Sequence, residues 1–234
     1  MPADLISIVV PVYNEESTIG TVIERLLTMP LPAEREIIVV NDGSRDGTRQ
    51  ALDALDGRSP ALKIVHIQVN RGKGHAVRVG FGRATGTVTA IQDADLELDP
   101  SQLAALVAPI LSGECDVVYG SRFLHGAGEA SGIGLAGNRL LTGITNALFR
   151  TSLTDMETCY KVMRTEIARS LRLEANRFDI EPEITAQLIL RGHRIVERPV
   201  RFSPRDKAAG KKIRWHDGFD AVKVLVQQRL RGAD

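Results

Sequence analysis

Val88-Thr89-Ala90-Ile91-Gln92-Asp93-Ala94-Asp95 decides the reading of this chain, because an apolar run ends there in two aspartates one residue apart. In an extended strand, side chains at i and i+2 leave from the same face. Asp93 and Asp95 are therefore expected side by side where the strand ends, about 6 to 7 Å apart at Cα. Unscreened carboxylates this close repel, and the usual remedies are a shared proton or a hard cation such as Mg²⁺ or Mn²⁺, which typically also holds substrate phosphates. The structural alternative is that the pair caps the next helix. Asp99-Pro100-Ser101 already supplies an N-cap with proline at the first helical position, so that task is taken.

Working outward, Ile6–Val10, Glu36–Val40, Lys63–Val69, Val88–Ala94 and Asp116–Gly120 read as short β-branched strands. Helical periodicity falls between most of them, at Thr18–Thr28, Gly47–Asp56, Lys73–Ala84 and Ser101–Leu111. This alternation predicts an α/β fold with a doubly wound, mostly parallel sheet, which binds ligands at the carboxyl ends of its strands. The polar motifs sit at those ends: Pro11-Val12-Tyr13-Asn14-Glu15, Asn41-Asp42-Gly43-Ser44, Asn70–Gly74 and Asp93–Asp95. After Gly120 the expectation is a Gly-rich stretch, a helix at Asn138–Phe149, an edge strand near Cys159–Met163, a helix near Glu183–Leu190 and a strand at Arg194–Phe202. No linker or repeat interrupts the 234 residues, so they read as one domain, a nucleotide-binding half (1–120) carrying acceptor-side elements (121–234).

Thirty basic residues against 29 acidic ones give no global field, which argues against a nucleic-acid binder. Two cysteines suggest no disulfide framework and a reducing, cytoplasmic setting. No run approaches the roughly 18 apolar residues of a membrane span, so any membrane contact is expected to be peripheral.

Each motif has a bland counterpart. Asp46 and Gly47 serve a turn and a helix start, which leaves Asp42 to accept from a nucleobase N–H or a ribose hydroxyl. Asn70-Arg71-Gly72-Lys73-Gly74 precedes a helix whose first amides suit a diphosphate, with Lys73 adding charge. Around Lys73 neither the Walker nor the dinucleotide glycine pattern is present.

Together these motifs resemble the family 2 glycosyltransferases of the GT-A fold, and within them the polyprenyl-phosphate (dolichyl-phosphate) mannosyl- and glucosyltransferases. The resemblance extends through Gly120-Ser121-Arg122, Gly137-Asn138-Arg139, Thr154-Asp155-Met156-Glu157-Thr158-Cys159-Tyr160-Lys161, Pro199-Val200 with Arg205, and Gly210-Lys211-Lys212. It implies that Pro11, Tyr13, Glu15 and Asp42 surround base and ribose, that Asp93 and Asp95 hold the metal on the sugar-nucleotide diphosphate, and that Arg122, Arg139 and Arg205 meet a lipid phosphate. Glu97 stands where mannosyltransferases of this branch typically have Gln. It would continue the strand face as a third metal ligand.

The chemistry follows from the residues as well. A sugar leaving a nucleoside diphosphate puts negative charge on the β-phosphate, and a metal held by Asp93 and Asp95 stabilises that charge. A phosphate acceptor needs cations and no base, whereas a hydroxyl acceptor needs a base, for which Asp155, Glu181 and Glu183 are candidates. The expectation is an inverting hexosyl transfer from GDP-mannose or a UDP-sugar to a polyprenyl phosphate. The alternatives are a soluble transferase acting on sugar or protein hydroxyls, a non-catalytic nucleotide-sugar-binding protein and a nucleotidyltransferase. Stripes at Leu140, Leu141, Ile144 and Leu148 and at Phe219, Val222, Val226 and Leu230 fit either a core or a membrane surface. Lys207, Lys211, Lys212 and Arg214 near Trp215 suggest a loop over the lipid phosphate.

Overall fold

A computed structural model describes residues 4–124, 133–204 and 215–232. Strands β1 (Leu5–Val12), β2 (Glu34–Asp42), β3 (Leu62–Ile67) and β4 (Val88–Ile91) alternate with helices α1 (Ile19–Thr28), α2 (Thr48–Asp53) and α3 (Lys73–Arg83). A short 3-10 turn, Pro100–Gln102, leads into α4 (Leu103–Leu111), followed by β5 (Val117–Ser121) and α5 (Ile133–Phe149). The chain continues through β6 (Lys161–Arg164), α6 (Thr165–Ser170), α7 (Ile180–Leu190), β7 (Ile195–Pro199) and α8 (Trp215–Arg231).

The strands form one seven-stranded sheet in the order β3-β2-β1-β4-β6-β5-β7, with β6 antiparallel to both its neighbours and the other pairs parallel. Both faces are covered, as the continuous apolar character of β1 demands. Ile6, Ile8, Val10 and Val12 face one core with Ile19, Val22, Ile23 and Leu26 of α1. Those four helical residues recur at i, i+3, i+4 and i+7, and burying each contributes roughly 1.5–3 kcal/mol. Val9 points the other way, into a second core with Ile91, Tyr119, Met163 and residues of α3 and α7.

The strand order reverses between β1 and β4, which opens a crevice at their carboxyl ends. Two expectations fail here. The strand starting at Val88 ends at Ile91, so Asp93 and Asp95 lie in a turn beyond it, and Leu96 takes φ 62° between Asp95 and Glu97. The alternation placing Asp93, Asp95 and Glu97 on one strand face therefore does not apply. The run near Cys159–Met163, expected at an edge, is β6 in the middle of the sheet. A short strand with a lysine resembles a protected edge, but Lys161 is fully buried with its charge satisfied internally.

Candidate active site

The loops leaving β1 and β2 are laced together at the crevice. Pro11 pairs with Val40 in the sheet, and Tyr13 and Glu15 follow just beyond the strand. Asn14, at φ 51°, takes its amide to Ser44 Oγ (2.9 Å), and its side-chain oxygen accepts from the Arg45 amide (2.8 Å). The Glu15 amide donates to Thr48 Oγ1 at 2.8 Å, and the buried Glu15 carboxylate accepts from the Thr18 hydroxyl at 2.9 Å. Asp46 accepts from the Thr48 amide at 3.0 Å, the helix-start role expected of it.

Asp42 stands at the end of β2, and its Oδ2 accepts from Asn70 Nδ2 (2.9 Å) and from the amides of Arg71 (2.9 Å) and Gly72 (2.6 Å). Two of the amides expected to cradle a diphosphate thus bind this carboxylate. A third, that of His75, donates to Asn176 O at 3.2 Å. Gly72 has φ 101°, and a Cβ there would come 2.4 Å from Asn176 O, so the loop fits against residue 176 only without a side chain.

Lys73 leaves this loop and reaches Asp93 Oδ1 at 2.8 Å and Glu181 Oε1 at 2.9 Å. Glu181, at the start of α7, bridges on to Lys161 Nζ at 2.5 Å. Lys161 also donates to Met156 O (3.0 Å) and Thr158 O (2.5 Å) and lies 4.8 Å from the centroid of the Tyr119 ring. Burial alone would push the Asp93 carboxyl up, but Lys73 holds it below the usual carboxylate range. Burial likewise works against the Lys73 ammonium, and Asp93 and Glu181 keep its pKa well above the ordinary lysine value. Burial and the nearby Asp93 carboxylate push the Cys159 thiol up. Asp95 Oδ1 accepts from the Glu97 amide at 3.2 Å, and the Glu97 carbonyl accepts from Ser203 N at 2.9 Å. Among the described residues no group of three or more acidic, His or Cys side chains is arranged to hold a metal. Two hard carboxylates still suit a Mg²⁺ or Mn²⁺ ion that draws its other ligands from water and phosphate, and the ammonium beside Asp93 marks that position as one that demands a cation.

Arg122 follows β5. Its Nε and Nη2 bind Asp155 at 2.7 and 2.8 Å, and its amide adds a third bond at 3.0 Å. Its guanidinium lies 5.5 Å from the Phe123 and 5.3 Å from the Phe202 ring centroids. Asp155 is fully buried and also accepts from Asn138 Nδ2 at 3.2 Å, so it orients Arg122 and does not face solvent as a base would. Burial opposes the Arg122 charge, and Asp155 more than compensates. Arg139 is exposed on α5 next to Asn138, whereas Arg205, Lys207, Lys211, Lys212 and Arg214 lie outside the described residues.

The family model "Glycosyl transferase family 2" matches residues 7–172. The chain belongs to this family. A relative, glycosyltransferase AglD of Haloferax volcanii, is 30% identical over 209 residues, which are 86% of this chain and 33% of that protein. Dodecaprenyl-phosphate galacturonate synthase of Rhizobium johnstonii is 36% identical over 120 residues (50% of this chain, 36% of that one). Dolichol-phosphate mannosyltransferase of Pyrococcus furiosus is 31% identical over 121 residues (52% and 34%). This family 2 chain therefore spans about a third of the length of the curated relatives it matches. Glucosyl-3-phosphoglycerate synthase of Mycobacterium tuberculosis, solved with Mn²⁺, UDP and phosphoglyceric acid, superimposes with a TM-score of 0.74 at 20% identity over 97% of this chain and 78% of that one. That likeness speaks for the fold.

Three participants escaped the sequence reading: Glu157, Cys159 and Lys161 stand in a motif that was recognised as a block, without roles. Glu181, expected only as a candidate base, instead links Lys73 to Lys161. Glu183 binds the amides of Glu174 (3.0 Å) and Ala175 (2.9 Å) and braces that segment. On α5, Leu141, Ile144 and Leu148 pack into a small core with Met156, Ala186 and Leu225, leaving Leu140 outside. Of the α8 stripe, Phe219, Val226 and Leu230 are exposed and Val222 is half-buried. No helix among the described residues is long and apolar enough to cross a membrane.

Proposed function

We propose that this chain transfers a hexose, with inversion, from a nucleoside diphosphate sugar to a polyprenyl monophosphate. The observation that carries the reading is the joining of two charged centres by one segment: Asp155 holds Arg122 for one anion, and Lys161, six residues on, connects through Glu181 and Lys73 to Asp93, where a cation is demanded. Two substrates that are both anions need that pairing. The names of the relatives, a dodecaprenyl-phosphate galacturonate synthase and a dolichol-phosphate mannosyltransferase, support a lipid phosphate as acceptor.

In this reading the ends of β1 and β2, with Pro11, Tyr13, Glu15 and Asp42, receive the nucleoside. Asp93 and Asp95, with Glu97 close by, would hold Mg²⁺ or Mn²⁺, which supplies positive charge against the departing nucleoside diphosphate. Lys73, already beside Asp93, adds to the same field. The acceptor phosphate is largely dianionic at neutral pH and attacks without a base. Arg122 holds it in line through the donors that Asp155 leaves unused, with Arg139, Arg205 and Lys211 as further cations. A bond forms from a phosphate oxygen to the anomeric carbon as the bond to the β-phosphate oxygen breaks. The buried position of Asp155 weighs against the alternative of a hydroxyl acceptor with Asp155 as base. The exposed apolar face of α8, flanked by Lys223, Arg229 and Arg231, supports peripheral contact with a bilayer.

The test is incubation of labelled UDP- and GDP-sugars with polyprenyl phosphate, with and without Mn²⁺ or Mg²⁺, counting label extracted into organic solvent. Metal-dependent label in the lipid phase is expected. Label appearing only in water-soluble glycosides would refute the acceptor.

A further inference from the structure

The segment from Asp155 to Lys161 links the two charged centres, and its other polar side chains have partners. Asp155 holds Arg122, the Thr158 hydroxyl donates to Gly120 O at 2.6 Å, and the Cys159 thiol is buried within electrostatic reach of Asp93. The Tyr160 hydroxyl lies 2.7 Å from Gln92 Oε1 and 2.8 Å from Asp99 O, and Lys161 is tied to Glu181 and two carbonyls. Glu157 differs. Its Oε1 is buried with no hydrogen-bond partner, while the side chain as a whole keeps partial exposure. Leaving such an oxygen unpaired is costly, and the backbone on either side is pinned by Lys161, so the segment is not free to relieve it.

We propose that Glu157 accepts a hydroxyl of the transferred hexose and thereby helps determine which sugar the site takes. The inference rests on the glycosyl-transfer reading above. Both substrates bring anions, the diphosphate toward Asp93 and Asp95 and the acceptor phosphate toward Arg122, and a carboxyl within electrostatic reach of Arg122 and of the Lys161–Glu181 pair would repel either one. The neutral member of the reacting assembly is the hexosyl ring, whose hydroxyls are the donors that Glu157 lacks. Burial pushes its pKa up to about 7, with Glu181 and Asp155 adding to the rise and Lys161 and Arg122 opposing it. Either protonation state can accept from a hydroxyl. A site built to bind a hydroxyl rejects sugars that do not present one there.

The experiment compares wild type, Glu157→Gln and Glu157→Ala with UDP-glucose, UDP-galactose and GDP-mannose in the presence of Mn²⁺. Transfer to polyprenyl phosphate is measured, and so is slow donor hydrolysis without acceptor. Calorimetry with UDP and GDP, which carry no sugar, runs alongside. Glu157→Ala is expected to lower kcat/KM for the preferred hexose by roughly 10- to 100-fold and to bring the next donor within a few fold. Glu157→Gln, whose amide oxygen still accepts, is expected to recover part of the loss and serves if the alanine variant does not fold. Affinity for the bare nucleotide and KM for the lipid should stay within about twofold of wild type, taking about 1.4 kcal/mol as tenfold. Unchanged donor preference in both variants would overturn the proposal, as would parallel losses of nucleotide affinity and lipid KM, the signature of a merely structural role. Donor hydrolysis that follows the Glu157 pattern without any lipid product would sink the acceptor assignment and leave Glu157 in place.

Discussion

Lys73→Met keeps the aliphatic stem and removes the ammonium lying 2.8 Å from Asp93 and 2.9 Å from Glu181. Breaking a buried ion pair from one side costs roughly 3–5 kcal/mol, because the remaining charge stays buried. Here the cost is softened: Glu181 keeps Lys161 at 2.5 Å, and the Asp93 side chain is 27% exposed to water. The expected loss at pH 7 is therefore about 3 kcal/mol, or a fall in Tm of roughly 6–12 °C for a chain of this size. Asp93 titrates below its unfolded value, so its contribution is present above the ordinary carboxylate pKa and is lost as pH falls through the lowered one. The gap between variant and wild type should accordingly close in acid. Mn²⁺ gives a second reading, since in wild type it competes with the ammonium for Asp93 and in the variant it meets an uncompensated carboxylate. Urea unfolding followed by circular dichroism, with and without Mn²⁺, should show a larger stabilisation of the variant by metal. A loss below about 1 kcal/mol would refute Lys73 as the internal counter-ion of this site. Equal metal shifts in both proteins would remove Asp93 from the metal's ligands.

Asp155→Asn replaces an acceptor of three Arg122 bonds with an amide that cannot face two guanidinium donors, and should cost roughly 3–5 kcal/mol in urea unfolding. Lipid-phosphate KM should rise at least about tenfold, each tenfold being about 1.4 kcal/mol; a fall in kcat with KM unchanged would instead mark Asp155 as a base. Asp95→Asn should abolish the Mn²⁺ dependence of transfer along with most of the rate, and a metal titration superimposable on wild type would count against its role. Glu157 binds its proton more tightly folded, at about 7, than unfolded, so wild-type stability declines as pH rises from about 4.5 through 7, by roughly 3 kcal/mol in all. Glu157→Gln should therefore be the more stable protein at pH 8 and gain little at pH 5, as paired urea curves would show. Phe219→Ser with Leu230→Ser should weaken sedimentation with anionic vesicles without changing Tm by more than about 4 °C, since each surface substitution costs within about ±0.5 kcal/mol; unchanged sedimentation would exclude α8 as the membrane face.

Much of the nucleotide-binding half was legible because each parallel strand is a continuous β-branched run that ends in a polar motif, as at Val40-Asn41-Asp42. The Asp99-Pro100 start was equally readable, and Asp99 does accept from the Ser101 amide at 2.9 Å. The geometry of Asp93 and Asp95 was not legible, since spacing says nothing of where a strand stops, and Leu96 in a left-handed conformation breaks the alternation. The role of Asp42 was only half visible, because its grip on the Arg71 and Gly72 amides joins strand ends from two different βα units. The chain from Asp93 through Lys73 and Glu181 to Lys161 joins α3, α7, β6 and the turn after β4, and nothing local in any of them announces the others. Asp155 looked like a base because residue type reveals chemistry and not direction; its carboxylate turns inward to Arg122.

Because β6 supplies the second partner of β4 and separates it from β5, the sheet cannot be completed in the order in which the chain is synthesised. A nascent chain ending near residue 120 would carry Val88–Ile91, apolar but for Thr89, with one row of amides and carbonyls unpaired until residues 161–164 left the ribosome. At about 5–20 residues per second that is an interval of several seconds in which an open, sticky strand edge invites neighbouring chains. Expression of the first 120 residues alone should therefore yield inclusion bodies more readily than a small nucleotide-binding module.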